Sequence, residues 1–390
     1  MIAINSTAPG ANRPNVTHEG SRRRVVVAMS GGVDSSVAAA LLVEQGHEVI
    51  GIMMRLWSEP ANAANAPANR CCTPDQMADA RRVAAQLGIP FYVIDVRDHF
   101  RQSIVQFFLD EHEAGRTPNP CVECNRQIRF TYLLERAMAL DADYLATGHY
   151  ARIRSGLDGY NLLSGIDTHK DQSYVLHMLR QDQLARVLFP IGAYTKQQVR
   201  ALAQAYGLSV ASKQESQDLC FLADGDHRRF LREHGRGQTP GVIIDSSGRE
   251  LGQHGGLSLY TIGQRKGLGI SAGEPLFVIA KDTARNALIV GTRDTLAREE
   301  FGVRSVSWIN GAPAQPVAAQ VRIRYKAAPV AALIDPVAAG AIVRLDEPAY
   351  GVTSGQAAVF YDGEVCLGGG IIADDAAMRA AKWLKETAHP

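Results

Sequence analysis

A short glycine and serine segment near the start of the chain has the residue types and spacing of an anion-binding loop. Residues 30–36 read SGGVDSS and directly follow residues 25–29, an apolar run of mostly β-branched residues. Such a run is typical of a buried parallel strand. The two glycines lack the Cβ atoms that would keep a bulky anion off the backbone. We expect Asp34 or Ser35 to cap a helix beginning at Val37, whose free N–H groups then point at a phosphate.

The residue pattern of this loop narrows the class of ligand that the loop is expected to bind. The loop lacks the lysine of a GxxxxGK[ST] nucleotide loop and the third glycine of a GxGxxG fingerprint. The pattern SGGxDS instead resembles the pyrophosphate loop of ATP pyrophosphatases. Those enzymes cut ATP between its α and β phosphates and use the AMP half to activate a carbonyl oxygen. The alternative, an ordinary glycine-serine turn, is disfavoured by the position of the loop between a strand and a helix.

Two cysteines far apart in the sequence are candidates for sulfur chemistry. Cys124 follows the loop of residues 115–120 (GRTPNP) and precedes a predicted helix over residues 125–139. A thiol just before a helix N-terminus has its thiolate form favoured by the helix dipole. Cys220 lies after the last helix of the α/β pattern. Two such thiols on one site suit sulfur transfer, in which one carries a persulfide and the other assists attack or releases the product by forming a disulfide.

The remaining cysteines are weaker candidates. Cys366 lies in a strand-like run and is expected to be an inert core residue, and Cys71 and Cys72 are interpreted as structural. Six cysteines in a chain of 390 residues without a signal peptide favour a reducing cytoplasm. The first 21 residues are polar, and we interpret them as a disordered extension. No apolar stretch approaches the roughly 20 residues that span a bilayer, so no membrane partner is expected.

The elements that must position these residues alternate between strand and helix as far as about Gly207. This pattern predicts a doubly wound α/β fold with a parallel sheet. Beyond about residue 225, short predicted strands separated by glycines indicate two small β-barrel-like domains. The predicted domains are residues 1–22 (disordered extension), 23–225 (catalytic domain), 226–297 (central β domain) and 298–390 (C-terminal barrel). The predicted strands of the first domain are 24–29, 48–54, 90–95 and 143–147, and its predicted helices are 35–45, 74–87, 98–113, 125–139 and 195–206.

Several motifs in a fixed order extend the resemblance over almost the whole chain. They are residues 30–35, 115–120, 124–125, 146–150 (ATGHY), 170–174 (KDQSY), 220–221, 263–269 (GQRKGLG) and 355–356. The set resembles the bacterial tRNA-specific 2-thiouridylases, ATP pyrophosphatases of the PP-loop type that thiolate the wobble uridine of certain tRNAs. The match runs from about Arg24 to Ile372. The resemblance implies a PP-loop catalytic domain followed by a C-terminal barrel that binds tRNA.

The resemblance also implies roles for individual residues. Cys124 matches the nucleophile of the family and Cys220 the cysteine that carries the persulfide, and the two would form a transient disulfide. The positions that match ATP-binding residues are Ala28, Met29, Ser30, Gly31, Gly32, Val33, Asp34, Ser35, Met54 and Gly148. The positions that match tRNA-contacting residues are Asn119, Pro120, Cys121, His149, Lys170, Asp171, Gln172, Arg324, Tyr325 and Gln356.

Some of these assignments also have support from the residues themselves. The alternation of residues 321–326 (VRIRYK) would place Arg322, Arg324 and Lys326 on one strand face, as a stripe for RNA phosphates. A solvated edge strand is the alternative. His149 could instead be a hydrogen-bonded histidine at a strand end. A further basic surface would come from arginines on one predicted helix, namely Arg228, Arg229, Arg232 and Arg236.

The sequence departs from the usual family pattern at Cys121, where many members have aspartate. The departure removes a carboxylate that would suit a general base, so no base is assigned. It also creates a CxxC pair, and Cys121, Cys124 and Cys220 together would be enough thiolates for an iron–sulfur cluster with one open iron. Persulfide chemistry without a metal is our main hypothesis, and the cluster is the alternative. A structural zinc site would need a fourth ligand, and none is evident.

The resulting hypothesis is an ATP-dependent tRNA sulfurtransferase of the cytoplasm. With Mg²⁺ on its phosphates, ATP would adenylate the 2-carbonyl oxygen of the uridine, and sulfur from a persulfide donor protein (a cysteine desulfurase or a sulfur relay) would then replace that oxygen. One alternative is another PP-loop enzyme, such as a tRNA lysidine synthetase or an amidotransferase-linked synthetase, but neither needs paired thiols. Another is a non-catalytic RNA-binding or sulfur-carrier protein, which the intact loop and both thiols disfavour.

Overall fold

The architecture was obtained from a computed structural model, which describes residues 22–59, 73–157, 159–214, 219–222, 224–236 and 238–374. In this part of the chain the first domain is built on a parallel sheet, whose strands are β1 (Arg24–Ala28), β2 (Glu48–Arg55), β3 (Phe91–Asp95), β4 (Tyr144–Ala146) and β7 (Val187–Leu188). Their order in the sheet is β3-β2-β1-β4-β7.

Helices cover both faces of this sheet. On strand β1, Val26 packs into one core cluster with Ile128, whereas Val25 and Val27 pack into a second cluster with Val37. A strand that is buried on both faces reads as a continuous apolar run, which explains residues 25–29. The helices are α1 (Val33–Glu44), α2 (Pro74–Leu87), α3 (Arg97–Phe100), α4 (Gln106–Glu113), α5 (Pro120–Cys124), α6 (Leu134–Met138), α7 (Gln181–Leu184) and α8 (Lys196–Ala205).

Two of these helix pairs are continuous. A π-helical segment, Arg101–Val105, joins α3 to α4, and a second one, Asn125–Leu133, joins α5 to α6. The cysteine-bearing helix α5 therefore continues for almost five turns beneath the sheet, and its buried side holds Ile128 and Leu133. A 3₁₀ turn, Ser173–Leu176, packs near this helix. Since π-helical segments are common at functional sites, the segment that begins directly after Cys124 marks this helix as a candidate site element.

The central domain begins with a basic helix and forms a four-stranded sheet in the order β10-β11-β8-β9. Ile243, Val278 and Leu288 are fully buried in its core. Strands β8 and β11 are parallel, and the other two pairs are antiparallel. The elements are α9 (His227–His234), β8 (Gly241–Asp245), β9 (Glu250–His254), β10 (Phe277–Asp282) and β11 (Ala287–Gly291), with 3₁₀ turns at Leu257–Leu259 and Arg293–Leu296.

The third domain is an antiparallel barrel that the pairing of β12 with β17 closes. Its strands are β12 (Ala297–Trp308), β13 (Val317–Arg322), β14 (Val330–Val337), β15 (Gly340–Tyr350), β16 (Ala357–Asp362) and β17 (Val365–Ile372). A hairpin of the first domain, β5 (Ala151–Gly156) and β6 (Gly159–Ser164), extends the barrel sheet, because Leu163 pairs with Val365. The barrel and the catalytic domain therefore share a sheet, which the sequence did not predict.

The structure confirms the predicted fold class and the predicted strands and helices of the first domain to within a few residues, apart from two helix starts that are treated below. The expected phosphate stripe is wrong, because β13 ends at Arg322 and the chain turns at residues 323–327. The predicted disordered extension, and Cys71 and Cys72, lie outside the described residues. Within the described part of the chain, the helices are too short or too polar to cross a membrane.

Candidate active site

The phosphate loop lies between the end of β1 and the start of α1. Helix α1 begins at Val33 rather than at Val37, so Asp34 and Ser35 lie inside its first turn, and the expected capping role for them is wrong. The Ser35 hydroxyl instead accepts a hydrogen bond from the Ser30 backbone N–H at 3.1 Å, which closes the loop. No side chain caps the helix at Gly32. The N–H groups of the first turn are therefore not taken by a capping side chain, as an anion site requires.

Two lysines from distant parts of the chain lie at this loop. The Lys196 ammonium, at the start of α8, binds both carboxylate oxygens of Asp34 at 2.7 and 2.8 Å. The Tyr150 hydroxyl donates a further hydrogen bond to Asp34 at 2.8 Å. The Lys213 ammonium donates to the Gly31 carbonyl at 2.9 Å and pairs with Asp79 of α2 at 2.5 Å. The loop has no lysine of its own, and these contacts bring cations to it from elsewhere in the sequence.

The predicted nucleotide-side residues pack tightly around the loop. A Cβ atom on Gly31, whose φ is +70°, would lie 2.2 Å from the Gln76 carbonyl oxygen. A Cβ atom on Gly148 would lie 2.7 Å from the Ser35 backbone nitrogen. Met54 is mostly buried, one residue before the end of β2. Only glycine fits at Gly31 and Gly148, so these two positions fix the path of the loop.

Replacing Gly148 with alanine is expected to push the phosphate loop aside and lower the rate of ATP-dependent pyrophosphate release. Displacements near 1 Å cost enzymes about 10²-fold, and a shift of less than that is expected to cost about tenfold here. Gly273→Ala is the matched control, because no atom lies within 4 Å of the added methyl group. Steady-state assays of pyrophosphate release measure both variants. A Gly148→Ala protein with the wild-type rate would show that the loop does not hold the nucleotide.

The helix that carries Cys121 and Cys124 starts earlier than the sequence suggested. Asn119 caps it by accepting hydrogen bonds from the backbone N–H groups of Cys121 and Val122, and Pro120 occupies its first position. Cys121 therefore lies in the first turn and is exposed, whereas Cys124 lies about one turn further along and is 5% exposed. The expectation that Cys124 directly precedes a helix N-terminus is wrong.

A guanidinium group supplies the positive charge near Cys124 that the helix dipole was expected to supply. Arg129 Nη1 lies 3.8 Å from the Cys124 sulfur and donates to the Asn125 side-chain oxygen at 2.8 Å. Asn125 in turn donates to the Val175 carbonyl at 2.9 Å. A cation beside a thiol favours the thiolate, which is the nucleophilic form. The contacts of Arg129 and Asn125 hold this cation in place, one turn beyond Cys124.

A cavity of about 340 Å³ brings the two cysteine segments to one place. Asn119 and Pro120, which start the Cys124 helix, line one part of its wall, and Leu219 and Leu222, which flank Cys220, line another. Cys220 itself is partly exposed. The remaining lining residues are Phe108, His112, Thr117, Pro118, Gly225, His227, Thr261 and Gln356. All three domains contribute to this cavity, and its size is sufficient for a single nucleobase.

The barrel holds the loop that leads into the cysteine helix. The Gln356 side-chain amide donates to the Thr117 carbonyl at 2.8 Å and to the Pro118 carbonyl at 3.4 Å. The Thr117 backbone N–H donates to the Ser354 carbonyl at 2.9 Å. A Cβ atom on Gly355 would lie 2.9 Å from the Thr117 nitrogen. Gln356, a predicted tRNA-contacting residue, therefore positions the cavity wall in this structure.

Several other predicted tRNA-contacting residues are engaged within the protein. Asp171 is 5% exposed, and its carboxylate accepts from the Arg322 guanidinium at 2.6 Å. The Gln172 side-chain oxygen accepts from the Tyr150 backbone N–H. His149 is buried, and its Nδ1 lies 2.7 Å from the Thr147 hydroxyl. Burial lowers the pKa of His149 to about 3. These residues are placed to shape the site rather than to cover an exposed RNA-binding face.

The barrel end presents the more accessible members of the predicted set. Arg324 is exposed and donates to the Gly351 carbonyl at 2.6 Å. Tyr325 is partly buried, with its ring 6.1 Å from that of Tyr174. Lys170 is also partly exposed. Of the predicted basic helix, Arg229 is committed to ion pairs with Glu59 and two further carboxylates.

The three thiols do not form a preassembled metal site. Among the described residues, the one group of three or more potential ligands whose atoms all lie within 4.8 Å is Glu59, Glu233 and His234. Arg229 already neutralises the two carboxylates of that group. Cys121, Cys124 and Cys220 do not meet this criterion. No step is therefore derived through an iron–sulfur cluster.

Comparisons with known proteins agree with this arrangement. A family profile described as tRNA methyl transferase HUP domain matches residues 23–224, a PRC-barrel profile of the same series matches residues 228–292, and an aminomethyltransferase beta-barrel profile matches residues 298–372. The chain is 52% identical over 353 residues to the tRNA-specific 2-thiouridylase MnmA of Chloroflexus aggregans, which covers 90% of this chain and 98% of that protein. The corresponding proteins of Roseiflexus castenholzii and Geotalea uraniireducens are 49% and 51% identical, each over 90% of this chain and over 100% and 95% of their own lengths. The chain therefore belongs to the tRNA-specific 2-thiouridylase family.

Proposed function

We propose that this protein is a tRNA-uridine 2-sulfurtransferase that replaces the 2-oxygen of a wobble uridine with sulfur at the expense of ATP. The observation that carries the proposal is the shared cavity, because it joins the segments of both candidate cysteines in a chain that also has a pyrophosphate loop. The contact of one cavity with both segments supports a single place where the base is held and sulfur is delivered. Family membership supplies the substrate class.

The first half-reaction activates the base. The nucleotide enters as MgATP, with its β and γ phosphates at the loop of residues 30–35 and at the first turn of α1. The uridine 2-oxygen attacks the α phosphorus, the bond to the bridging oxygen breaks, and pyrophosphate leaves. The adenylated oxygen is then a good leaving group, which is the difficult part of exchanging oxygen for sulfur. Because Cys121 replaces the aspartate that many family members have, no residue is assigned as base, and the N3 proton of the uridine passes to water.

The second half-reaction delivers sulfur. Cys220 receives a sulfane sulfur from a persulfide donor protein and presents it as a persulfide, whose terminal sulfur attacks C2 of the adenylated base. The bond from C2 to the adenylated oxygen breaks, and AMP leaves. The Cys124 thiolate, favoured by Arg129, then attacks the Cys220 sulfur and breaks the S–S bond, which releases the thiolated base and forms a Cys124–Cys220 disulfide. External thiols reduce this disulfide before the next cycle.

The proposed substrate partner is tRNA, and the proposed place of action is the cytoplasm, where tRNA and persulfide donors meet. Support for tRNA as a partner comes from the barrel, whose exposed Arg324 lies on the loop next to the strand end of β13. The hydrogen bond from Gln356 to the loop of residues 117–118 would couple RNA bound at the barrel to the position of helix α5, which carries Cys124.

A single reconstitution tests the proposed function. The purified protein is incubated with ATP, Mg²⁺, a persulfide donor and tRNA, and the nucleosides are then analysed by mass spectrometry. We expect 2-thiouridine at the wobble position, with one AMP and one pyrophosphate formed for each sulfur that is inserted. Formation of orthophosphate and ADP instead would overturn the ATP chemistry. Pyrophosphate release with a different base product would point to another PP-loop activity.

A further inference from the structure

A basic pair, His112 of the cavity wall and the half-buried Lys281 near it, has no role in the reaction described above. His112 is 3% exposed, lines the cavity, and its Nδ1 has no hydrogen-bond partner. The Lys281 ammonium is also buried without a partner. Leaving a donor or a charge unpaired in a protein interior is costly. An unpaired ammonium beside a cavity therefore indicates a ligand that supplies the missing acceptor.

The fold holds Lys281 next to His112. Lys281 lies on β10 of the central domain, and its carbon chain passes 3.8 Å from the position that a Cβ atom on Gly115 would take. Gly115 follows α4, and its backbone N–H donates to the His112 carbonyl at 3.1 Å. Two domains therefore meet at this pair, directly before the loop that leads to Asn119.

The charges of the pair favour an anion. Burial, together with the charges of Lys281 and His227, lowers the pKa of His112 to about 3, so its imidazole is neutral. Burial lowers the pKa of Lys281 to about 8, which leaves its amine mostly protonated at pH 7. Among the described residues that line the cavity there is no lysine or arginine. Lys281 is thus the cation available to an anion that enters from this side.

We propose that Lys281 binds the RNA phosphodiester next to the target uridine when that base enters the cavity, with the neutral His112 in the cavity wall beside it. This inference rests on the proposed function, and it adds a phosphate subsite to it. Every nucleotide carries a phosphodiester, so a base that enters a cavity with an apolar wall of Phe108, Leu219 and Leu222 brings a negative charge with it. Lys281 supplies the countercharge and so fixes the depth to which the base is inserted.

The test measures equilibrium binding of a synthetic anticodon stem-loop RNA without ATP. Lys281→Met is expected to weaken binding about tenfold, as for the loss of a hydrogen bond to a charged group. It should also lower the slope of log affinity against log salt by about 0.7, the value for one phosphate contact on a single strand. Arg285→Met is the matched control, because Arg285 is an exposed cation of the same hairpin. An equal loss of slope in both variants would overturn the proposal.

Neutral linkages in the RNA identify the phosphate. A methylphosphonate placed 5′ or 3′ to the target uridine should weaken binding of the wild-type protein about tenfold at one of the two positions, and should have no further effect on Lys281→Met. If neither linkage changes wild-type binding, or if the two losses simply add, the subsite does not exist. The measurements on the wild-type protein test the proposed subsite even if the Lys281→Met variant does not fold. Absence of any RNA binding would instead count against the proposed function.

Discussion

Replacing Cys220 with serine is expected to abolish tRNA thiolation while pyrophosphate release in the presence of tRNA continues. Serine has nearly the same size but cannot carry a sulfane sulfur, so the first half-reaction keeps its groups and the second loses its donor. Loss of a covalent participant lowers enzyme rates by about 10³-fold or more. Single-turnover assays that follow pyrophosphate and 2-thiouridine separately measure the two half-reactions.

The second cysteine and a control thiol sharpen this experiment. Without an external thiol, Cys124→Ser is expected to lose thiolation to the same extent, because the thiolated base stays joined to Cys220 through the S–S bond. Intact mass spectrometry detects this covalent adduct of protein and tRNA, and a reducing agent should release it. Cys366→Ala is the matched control, because the Cys366 thiol is buried in the barrel and burial raises its pKa to about 12. It should thiolate normally. If either Cys124→Ser or Cys220→Ser thiolated tRNA at the wild-type rate, the assigned route of sulfur would be wrong.

The parts of the site that the sequence predicted are those that one local segment encodes. The loop of residues 30–35 has its glycines, serines and preceding strand within about a dozen residues, so local rules suffice. The starts of the two helices were mistaken because stronger signals lay upstream. Asn119 and Pro120 together form a better helix start than the residues after Cys124, and the Ser35 hydroxyl is used by the loop.

The parts that the sequence did not predict depend on contacts between distant segments. Lys196 and Tyr150 meet at Asp34, and nothing in their local sequence marks either as a partner of the loop. The β5–β6 hairpin was missed because its partner strand, β17, lies about 200 residues further on. His112 and Lys281 belong to different domains. The one signal in the sequence is a lysine near the end of an otherwise apolar strand, residues 277–281.

Lys213 illustrates how such a contact leads to a second strong prediction. Its ammonium lies 2.9 Å from the Gly31 carbonyl, within the loop that is proposed to hold the outer phosphates. The loop lacks the lysine that many nucleotide loops carry, and phosphate charge develops on the departing pyrophosphate. A preorganised cation at that point stabilises the transition state more than the bound substrate. Lys213→Met is therefore expected to lower kcat/KM for ATP by about 10²-fold, measured by pyrophosphate release.

A variant of Asp79, the ion-pair partner of Lys213, distinguishes a purely structural role of Lys213 from a role in stabilising the phosphates. Asp79 of α2 binds the same ammonium at 2.5 Å and takes up part of its charge. If Lys213 only ties α2 to the loop, Asp79→Asn and Lys213→Met break the same tie and should slow pyrophosphate release equally. If Lys213 acts on the phosphates, Asp79→Asn frees the cation and should leave the rate unchanged or raise it, and Lys213→Arg should recover part of the activity. Equal losses in the asparagine and methionine variants would show that Lys213 has only a structural role and does not stabilise the departing pyrophosphate.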